Sequence, residues 1–351
     1  NTFMICQKYY NNIGKINPPC YIPDPSYSSF TTDDLIYCDF KDQDLSGRNL
    51  SYSKLSGANL EEANFTDTVL ISADLTNTNL QGANFTNSIL KNTNLTGSNL
   101  KGANFTNTNL EDAILRDTIL LGVSGRLREG PSILPENWTY NYNFLFGPGA
   151  NLSYQEIIVE DLEEHVIDLS DLNLQGSNFF KTKFLNVVDL GNSDLQYADL
   201  SEAILDNSYL TNTKLQYSQF ICKSRRGFDL QNVDFEDSNL FGADIENYNF
   251  IDCIFTNANL QELNKTNFNL INIKFETCIF KNCRFDNSNL VGCIFIDCDL
   301  RDLDFSNVKG ITRNSFYNCN LEGILLDPRD EGNRPRRSSR KKYKPTRFSP
   351  Y

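Results

Sequence analysis

From Leu35 to Leu120 every residue whose number is divisible by five is leucine or phenylalanine, from Leu35, Phe40, Leu45 and Leu50 through Phe65 and Phe85 to Phe105, Leu110, Leu115 and Leu120. A helix repeats its buried face about every 3.6 residues and a strand about every 2, so neither explains a period of five. Two positions before the large residue the chain is commonly small, as at Ala58, Ala63, Ala73, Ala83, Ala103 and Ala113. The position between is commonly Asn or Asp, as at Asn59, Asn64, Asp74, Asn79 and Asn84. Two apolar side chains in five cannot cover a broad sheet. They can fill the narrow interior of a coil whose four sides are each one pentapeptide.

A longer period supports that coil. The stretch Asn59-Leu-Glu-Glu-Ala-Asn-Phe65-Thr-Asp-Thr68 returns as Asn79-Leu-Gln-Gly-Ala-Asn-Phe85-Thr-Asn-Ser88 and again as Asn99-Leu-Lys-Gly-Ala-Asn-Phe105-Thr-Asn-Thr108. The superperiod is twenty residues, which predicts that Phe65, Phe85 and Phe105 stack in one column, with Phe235, Phe255, Phe275 and Phe295 doing the same later. Coils spaced like paired strands rise ~4.8 Å each, and each buries its neighbour's interior, so stability accumulates between neighbours. This pattern resembles the pentapeptide-repeat family, whose members form a right-handed quadrilateral β-helix. The resemblance covers about 35–120 and 169–326. It implies an all-β solenoid without an active-site cleft. For function it implies less, because the family includes DNA-mimicking gyrase inhibitors alongside cyanobacterial and plastid proteins.

Five regions follow from the frame. Residues 1–34, with Tyr9, Tyr10, Tyr21, Tyr27 and several prolines, form an irregular arm or cap. The first repeat block is 35–120. Residues 121–168 break the register and carry an aromatic run from Trp138 to Phe146. There Ser153-Tyr-Gln-Glu156 matches a capping box, and Tyr154, Ile158, Leu162 and Val166 recur at a spacing of four, so a short helix is expected at about 154–165. The second block is 169–326, with one-residue slips before Leu190 and Phe316 and with Arg225 and Lys265 at central positions, where bulges are expected at 223–227 and 262–267. The tail, 327–351, is basic and has no repeat.

Charge and candidate chemistry narrow the functional classes. The 351 residues carry a net charge of −13; the tail contributes +6, leaving −19 on the remainder. An acidic rod repels nucleic acid and attracts basic proteins, so no direct nucleic-acid binding by the rod is expected. No apolar stretch is long enough to span a membrane; peripheral contact with a membrane complex through the basic tail stays open. Most of the ten cysteines, including Cys38, Cys253, Cys278, Cys283, Cys293, Cys298 and Cys319, sit two before a central residue, in the slot held elsewhere by alanine. They read as reduced core thiols, which places the chain in a reducing compartment, cytoplasm or plastid stroma. The single histidine, His165, has no catalytic partner pattern around it, and no phosphate-binding loop motif occurs. No catalytic residue, cofactor or metal site is expected. The residues expected to bind partners are Trp138, Tyr140, Tyr142, Phe144 and Phe146 in the insertion and Arg334, Arg336, Arg337, Arg340, Lys341, Lys342 and Lys344 in the tail. The leading expectation is a non-catalytic scaffold subunit that binds proteins of a larger assembly. The alternative is an acidic DNA mimic acting on a topoisomerase.

Overall fold

The computed structural model describes residues 35–158, 166–223, 229–243, 248–263, 269–312 and 315–327. The chain winds as a right-handed quadrilateral β-helix in which each side is one pentapeptide. Each coil meets the next through parallel backbone bridges at the residue before the central one, as in Asn59↔Asn79↔Asn99 and Asn64↔Asn84↔Asn104. The amide of the central residue donates to the coil above, Phe65 N to Asn84 O at 2.7 Å, and the amide of the bridging residue donates to the coil below, Asn84 N to Ala63 O at 3.0 Å. One column of bridges runs unbroken from Asp44 through Ser124 and Asn151 to Asn320 in thirteen steps, so the rod is about 60 Å long at strand spacing.

The five-residue side has a physical cause. The second residue after each central one takes a left-handed backbone, as at Tyr52 (φ 60°), Asn77 (φ 54°) and Asn87 (φ 59°), and that reversal turns the chain through a corner. Asn, Asp and Gly dominate there because they meet the least steric cost in this region. The Asn or Asp before the centre locks the same corner: Asn64 Oδ1 accepts the Thr66 amide at 3.1 Å and the Thr66 hydroxyl at 2.6 Å. Asparagines of successive coils also chain together, Asn79 Nδ2 donating to Asn59 Oδ1 at 3.0 Å and Asn99 Nδ2 to Asn79 Oδ1 at 3.2 Å.

Inside, the central residues are fully buried and the expected columns form. Phe85 stacks on Phe65 at 4.8 Å and on Phe105 at 5.3 Å; Phe255 stacks on Phe235 at 4.8 Å, and Phe295 on Phe275 at 4.9 Å. Among the phenylalanines and leucines around Phe250 and Phe285 the void is about 10 Å³, about one water-probe sphere at most. The slot two before the centre takes a small side chain, and at several Thr and Cys positions its polar atom reaches the coil below. Thr108 Oγ1 donates to Phe85 O at 2.7 Å, and Cys278 Sγ donates to Phe255 O at 2.8 Å in the same geometry. Seven described cysteines are free. Cys38 departs from the expectation of a reduced core thiol: it is disulfide-bonded.

The register slips fall where the sequence places them. Bridges span twenty-one residues at Asp168↔Asp189 and at Phe295↔Phe316. Around Arg225 and Lys265, which lie outside the described residues with most of both expected bulges, the spacing stays at twenty, as in Gln219↔Asn239 and Asn259↔Ile279.

The segment 121–168 does not interrupt the bridging column; it enlarges two coils. Ser124↔Asn151 and Asn151↔Asn178 each span twenty-seven residues. In the first, the surplus forms a hairpin of β1 (Thr139–Asn141) and β2 (Phe144–Phe146). Tyr142 and Asn143 at its tip both take positive φ, 49° and 64°, the two-residue turn whose twist suits an antiparallel pair. In the second, the expected helix is absent from the described residues: Ser153 and Tyr154 form an ordinary corner, followed by β3 (Glu156–Ile157). Ser153 is bound to Asn151 Oδ1 through both its amide, at 3.2 Å, and its hydroxyl, at 2.7 Å. The apparent helical spacing has a simple origin. Tyr154 and Ile158 occupy outward slots of successive pentapeptides, which lie four residues apart in a five-residue frame. Residues 159–165, including His165, lie outside the described set; the coil resumes with β4 (Val166–Asp168), which pairs with Val187–Asp189.

Candidate functional site: the hairpin and the outer faces

The hairpin is built into the core. Phe144 and Phe146 are fully buried and belong to the hydrophobic cluster of the second half, while Leu145 between them belongs to the cluster of the first. Alternation along one strand thus sends side chains to two cores. Trp138 and Tyr140 are half-buried against the first cluster and Tyr142 against the second. The polar tips are also spoken for: the Tyr140 hydroxyl donates to Asn143 Oδ1 at 3.0 Å, and the Tyr142 hydroxyl accepts the Asp168 amide at 2.8 Å. Burial pushes the Tyr140 phenol up, helped by the Glu129 carboxylate and opposed by Arg126. Gly147 lies under the indole; a Cβ there would come within 2.4 Å of Trp138 Cδ2.

This arrangement corrects part of the expected partner surface. Phe144 and Phe146 offer no surface to a second molecule; they close the junction between the two cores because leaving such rings in water is costly. Trp138, Tyr140 and Tyr142 keep partial exposure. The tail residues Arg334, Arg336, Arg337, Arg340, Lys341, Lys342 and Lys344 lie outside the described residues.

The outer faces hold aromatic groups that the frame would have revealed had outward slots been sorted as well as inward ones. The bridges Asn178↔Asp199↔Gln219↔Asn239 put Phe180, Ser201, Ile221 and Phe241 in one column on one face. At the corner leading into that face Tyr197 and Tyr217 stack at 4.9 Å with an interplanar angle of 5°. Tyr197 is 62% exposed, and Tyr217 and Phe241 are each 46% exposed. At the lower end of the face Lys181 Nζ stands 4.9 Å from the Phe180 ring centroid and 5.5 Å from that of Tyr154. In the equivalent slots the first block presents Ser46, Thr66, Thr86 and Thr106 on the face and Asp42, Glu62, Gly82 and Gly102 at the corner.

Most described cations are paired with carboxylates, among them Lys41 with Glu61 at 3.0 Å, Lys91 with Glu111 at 2.6 Å and Lys223 with Glu202 at 2.8 Å. Among the described residues no group of His, Cys, Asp and Glu is arranged to hold a metal ion, and no helix is long and apolar enough to cross a membrane.

Eight copies of the pentapeptide repeat are recognised in the chain, within residues 44–82, 78–117, 188–221, 226–257 and 278–309. No curated protein matches the sequence. Among solved structures the chain is similar to HetL, a pentapeptide repeat protein involved in heterocyst differentiation regulation from the cyanobacterium Nostoc sp. strain PCC 7120, at 18% identity over 86% of this chain and 92% of that one, with a TM-score of 0.27. It is similar at 29% identity to a pentapeptide repeat protein of the Arabidopsis thaliana thylakoid lumen, over 24% of this chain and 67% of that one, with a TM-score of 0.16. A third is QnrB1, a plasmid-mediated fluoroquinolone resistance protein, at 14% identity over 74% of this chain and 90% of that one, with a TM-score of 0.20. Period, coil and recognised repeats agree, and the chain belongs to the pentapeptide-repeat family.

Proposed function

We propose that the protein is a non-catalytic scaffold subunit, a stiff rod that holds other proteins of an assembly along its outer faces. The observation that carries this reading is the aromatic face on which exposed Tyr197, Tyr217 and Phe241 adjoin half-buried Phe180, with the two tyrosines stacked, on an acidic rod. Aromatic side chains are enriched at the centres of protein interfaces and depleted on surfaces that face only water. The filled interior leaves the outer surface as the part that can recognise anything. Trp138, Tyr140 and Tyr142 contribute a second contact beside the hairpin, and the basic tail a third, aimed at an acidic partner or the periphery of a membrane complex. The free buried thiols support a reducing compartment such as cytoplasm or plastid stroma, and the Cys38 disulfide weighs against it.

The exposed aromatic face also separates this reading from an acidic DNA mimic, whose surface would need an even spread of carboxylates. The test is affinity capture from native extract with wild-type protein and with the triple variant Tyr197→Ser, Tyr217→Ser, Phe241→Ser. A specific partner held by the wild type and released by the variant supports the proposal. A lone monomer that captures nothing, or a partner held equally by both, removes it.

A further inference from the structure

The bridging column passes through one position where the central large residue is missing. Gly125 stands in the frame held below it by Leu45, Phe65, Phe85 and Phe105. Its φ is 104°, and a Cβ there would lie 2.4 Å from Thr106 N, so this coil is drawn down onto its neighbour where only glycine fits. The following residues alternate. Leu127 turns inward and is buried, while Arg126 and Arg128 point out. The backbone is held from both sides: Arg126 O accepts Asn107 N at 2.6 Å, Arg128 N donates to Thr108 O at 2.8 Å, and Leu127 N donates to Asn143 O of the hairpin tip at 2.7 Å. Between coil and hairpin lies a recess of about 570 Å³ lined by Thr106, Asn107, Asn109, Arg126, Leu127, Arg128, Glu129 and Asn143. Its volume is in the range of small-molecule sites.

Two features show what it would take. First, Arg126 and Arg128 make no ion pair and no side-chain hydrogen bond among the described residues, whereas Lys41, Lys91, Lys183, Lys214, Arg284 and Arg301 all meet carboxylates. Two unpaired guanidinium groups at one concavity reverse the local sign of an acidic rod, and their planar forks suit the paired oxygens of carboxylate or phosphate. Second, an amide ladder ends at the recess. Asn87 Nδ2 donates to Asp67 Oδ1 at 3.0 Å and Asn107 Nδ2 to Asn87 Oδ1 at 2.8 Å. The next position of that column is Leu127, so the Asn107 carbonyl is left as an open acceptor facing the recess. Glu129 also lines the recess, where its carboxylate opposes an anion.

We infer that this recess binds a small hydroxylated oxyanion, a carboxylate or phosphate ester that sets its anionic group between Arg126 and Arg128 and donates a hydroxyl hydrogen bond to Asn107 Oδ1. The inference is independent of the protein-docking faces proposed above. The probes are glycerol phosphate, glycerate and neutral glycerol, titrated against the full chain while the arginine side-chain N–H resonances are followed by NMR. Saturable shifts with glycerol phosphate, glycerate or both, and none with glycerol, are the expected result, and which of the two acids binds identifies the oxyanion. Arg126→Gln and Arg128→Gln should each weaken binding about tenfold, as expected for loss of one charge-assisted pair. Glu129→Gln should tighten it, because a repelling carboxylate is removed. The arginines are exposed, so circular dichroism of the variants should match the wild type. The inference is overturned if neither acid gives a saturable shift up to about 10 mM, if the double arginine variant binds as well as the wild type, or if Glu129→Gln weakens binding.

Discussion

Replacing Phe85 with alanine probes how the rod holds together. The ring is fully buried and sandwiched, with Phe65 at 4.8 Å and 8° on one side and Phe105 at 5.3 Å and 10° on the other. Truncating a buried Phe costs about 3–5 kcal/mol, and each stacked pair accounts for about 0.5–1.5 kcal/mol of interaction. With both partners lost and no room for the backbone to collapse between fixed coils, a cost of about 4 kcal/mol is expected, whereas Phe85→Leu should cost about 1 kcal/mol. Because coils interact with their neighbours, the loss should be local. Native-state hydrogen exchange reads it directly: the amides of Phe65 and Phe85, which donate to Asn84 and Asn104, should exchange about a thousandfold faster at about 1.4 kcal/mol per decade. The amide of Leu215, which donates to Asp234, should keep its rate. Acceleration below about tenfold at Phe65, or equal acceleration at Phe65 and Leu215, would refute the nearest-neighbour account.

Gly147→Ala should press a methyl group into the Trp138 indole and cost about 1–3 kcal/mol by overpacking; since the chain has one tryptophan, its fluorescence reports the shift, and an unchanged spectrum with unchanged stability counts against the packing described. Burial pushes the thiols of Cys253, Cys283 and Cys293 up to about 12, so alkylation near pH 8 should miss them in the folded protein and reach them in urea, as read by mass spectrometry; equal labelling in both states contradicts the structure. Ser170 holds the Asp168 carboxyl below the usual carboxylate range through its hydroxyl and amide, and Ser306 does the same for Asp304. A depressed folded value means that this stabilisation is present above the unfolded range and disappears as acid protonates the folded group, below about pH 4. Asp168→Asn, which keeps the accepting oxygen, should flatten part of that acid limb in thermal melts, and an unaltered limb would show that the corner does not titrate as described.

Much of the fold was legible in the sequence because one slot rule recurs with little variation. The fivefold frame placed Leu35 to Leu120 inside, the twentyfold repeat placed Phe65, Phe85 and Phe105 in one stack, and the slips before Leu190 and Phe316 surfaced as twenty-one-residue coils. What escaped depends on relations that one-dimensional spacing does not carry. Tyr154 and Ile158 imitate a helix because outward slots of neighbouring pentapeptides fall four apart. The run Trp138–Phe146 reads equally as a docking patch or as packing until a strand pair decides which side chains turn inward. The exposed Tyr197–Tyr217 stack was accessible from their separation of twenty residues, but only once attention moves from apolar interior slots to corners. Arg126 and Arg128 stood in plain view; their significance depends on Gly125 drawing the coil down and on the hairpin tip reaching across, which spacing alone does not show.

The strand Phe144–Phe146 serves both halves at once, with Leu145 lodged in one and its neighbours in the other. A repeating rod ordinarily peels from either tip like a zipper, and nothing along its length tells the tear where to stop. Here the tear meets a bulkhead. Fraying that starts near Leu45 or near Leu321 must extract a tightly gripped three-residue staple before it can spread past the midpoint, so damage to one half leaves the other standing as a shorter, self-sufficient column.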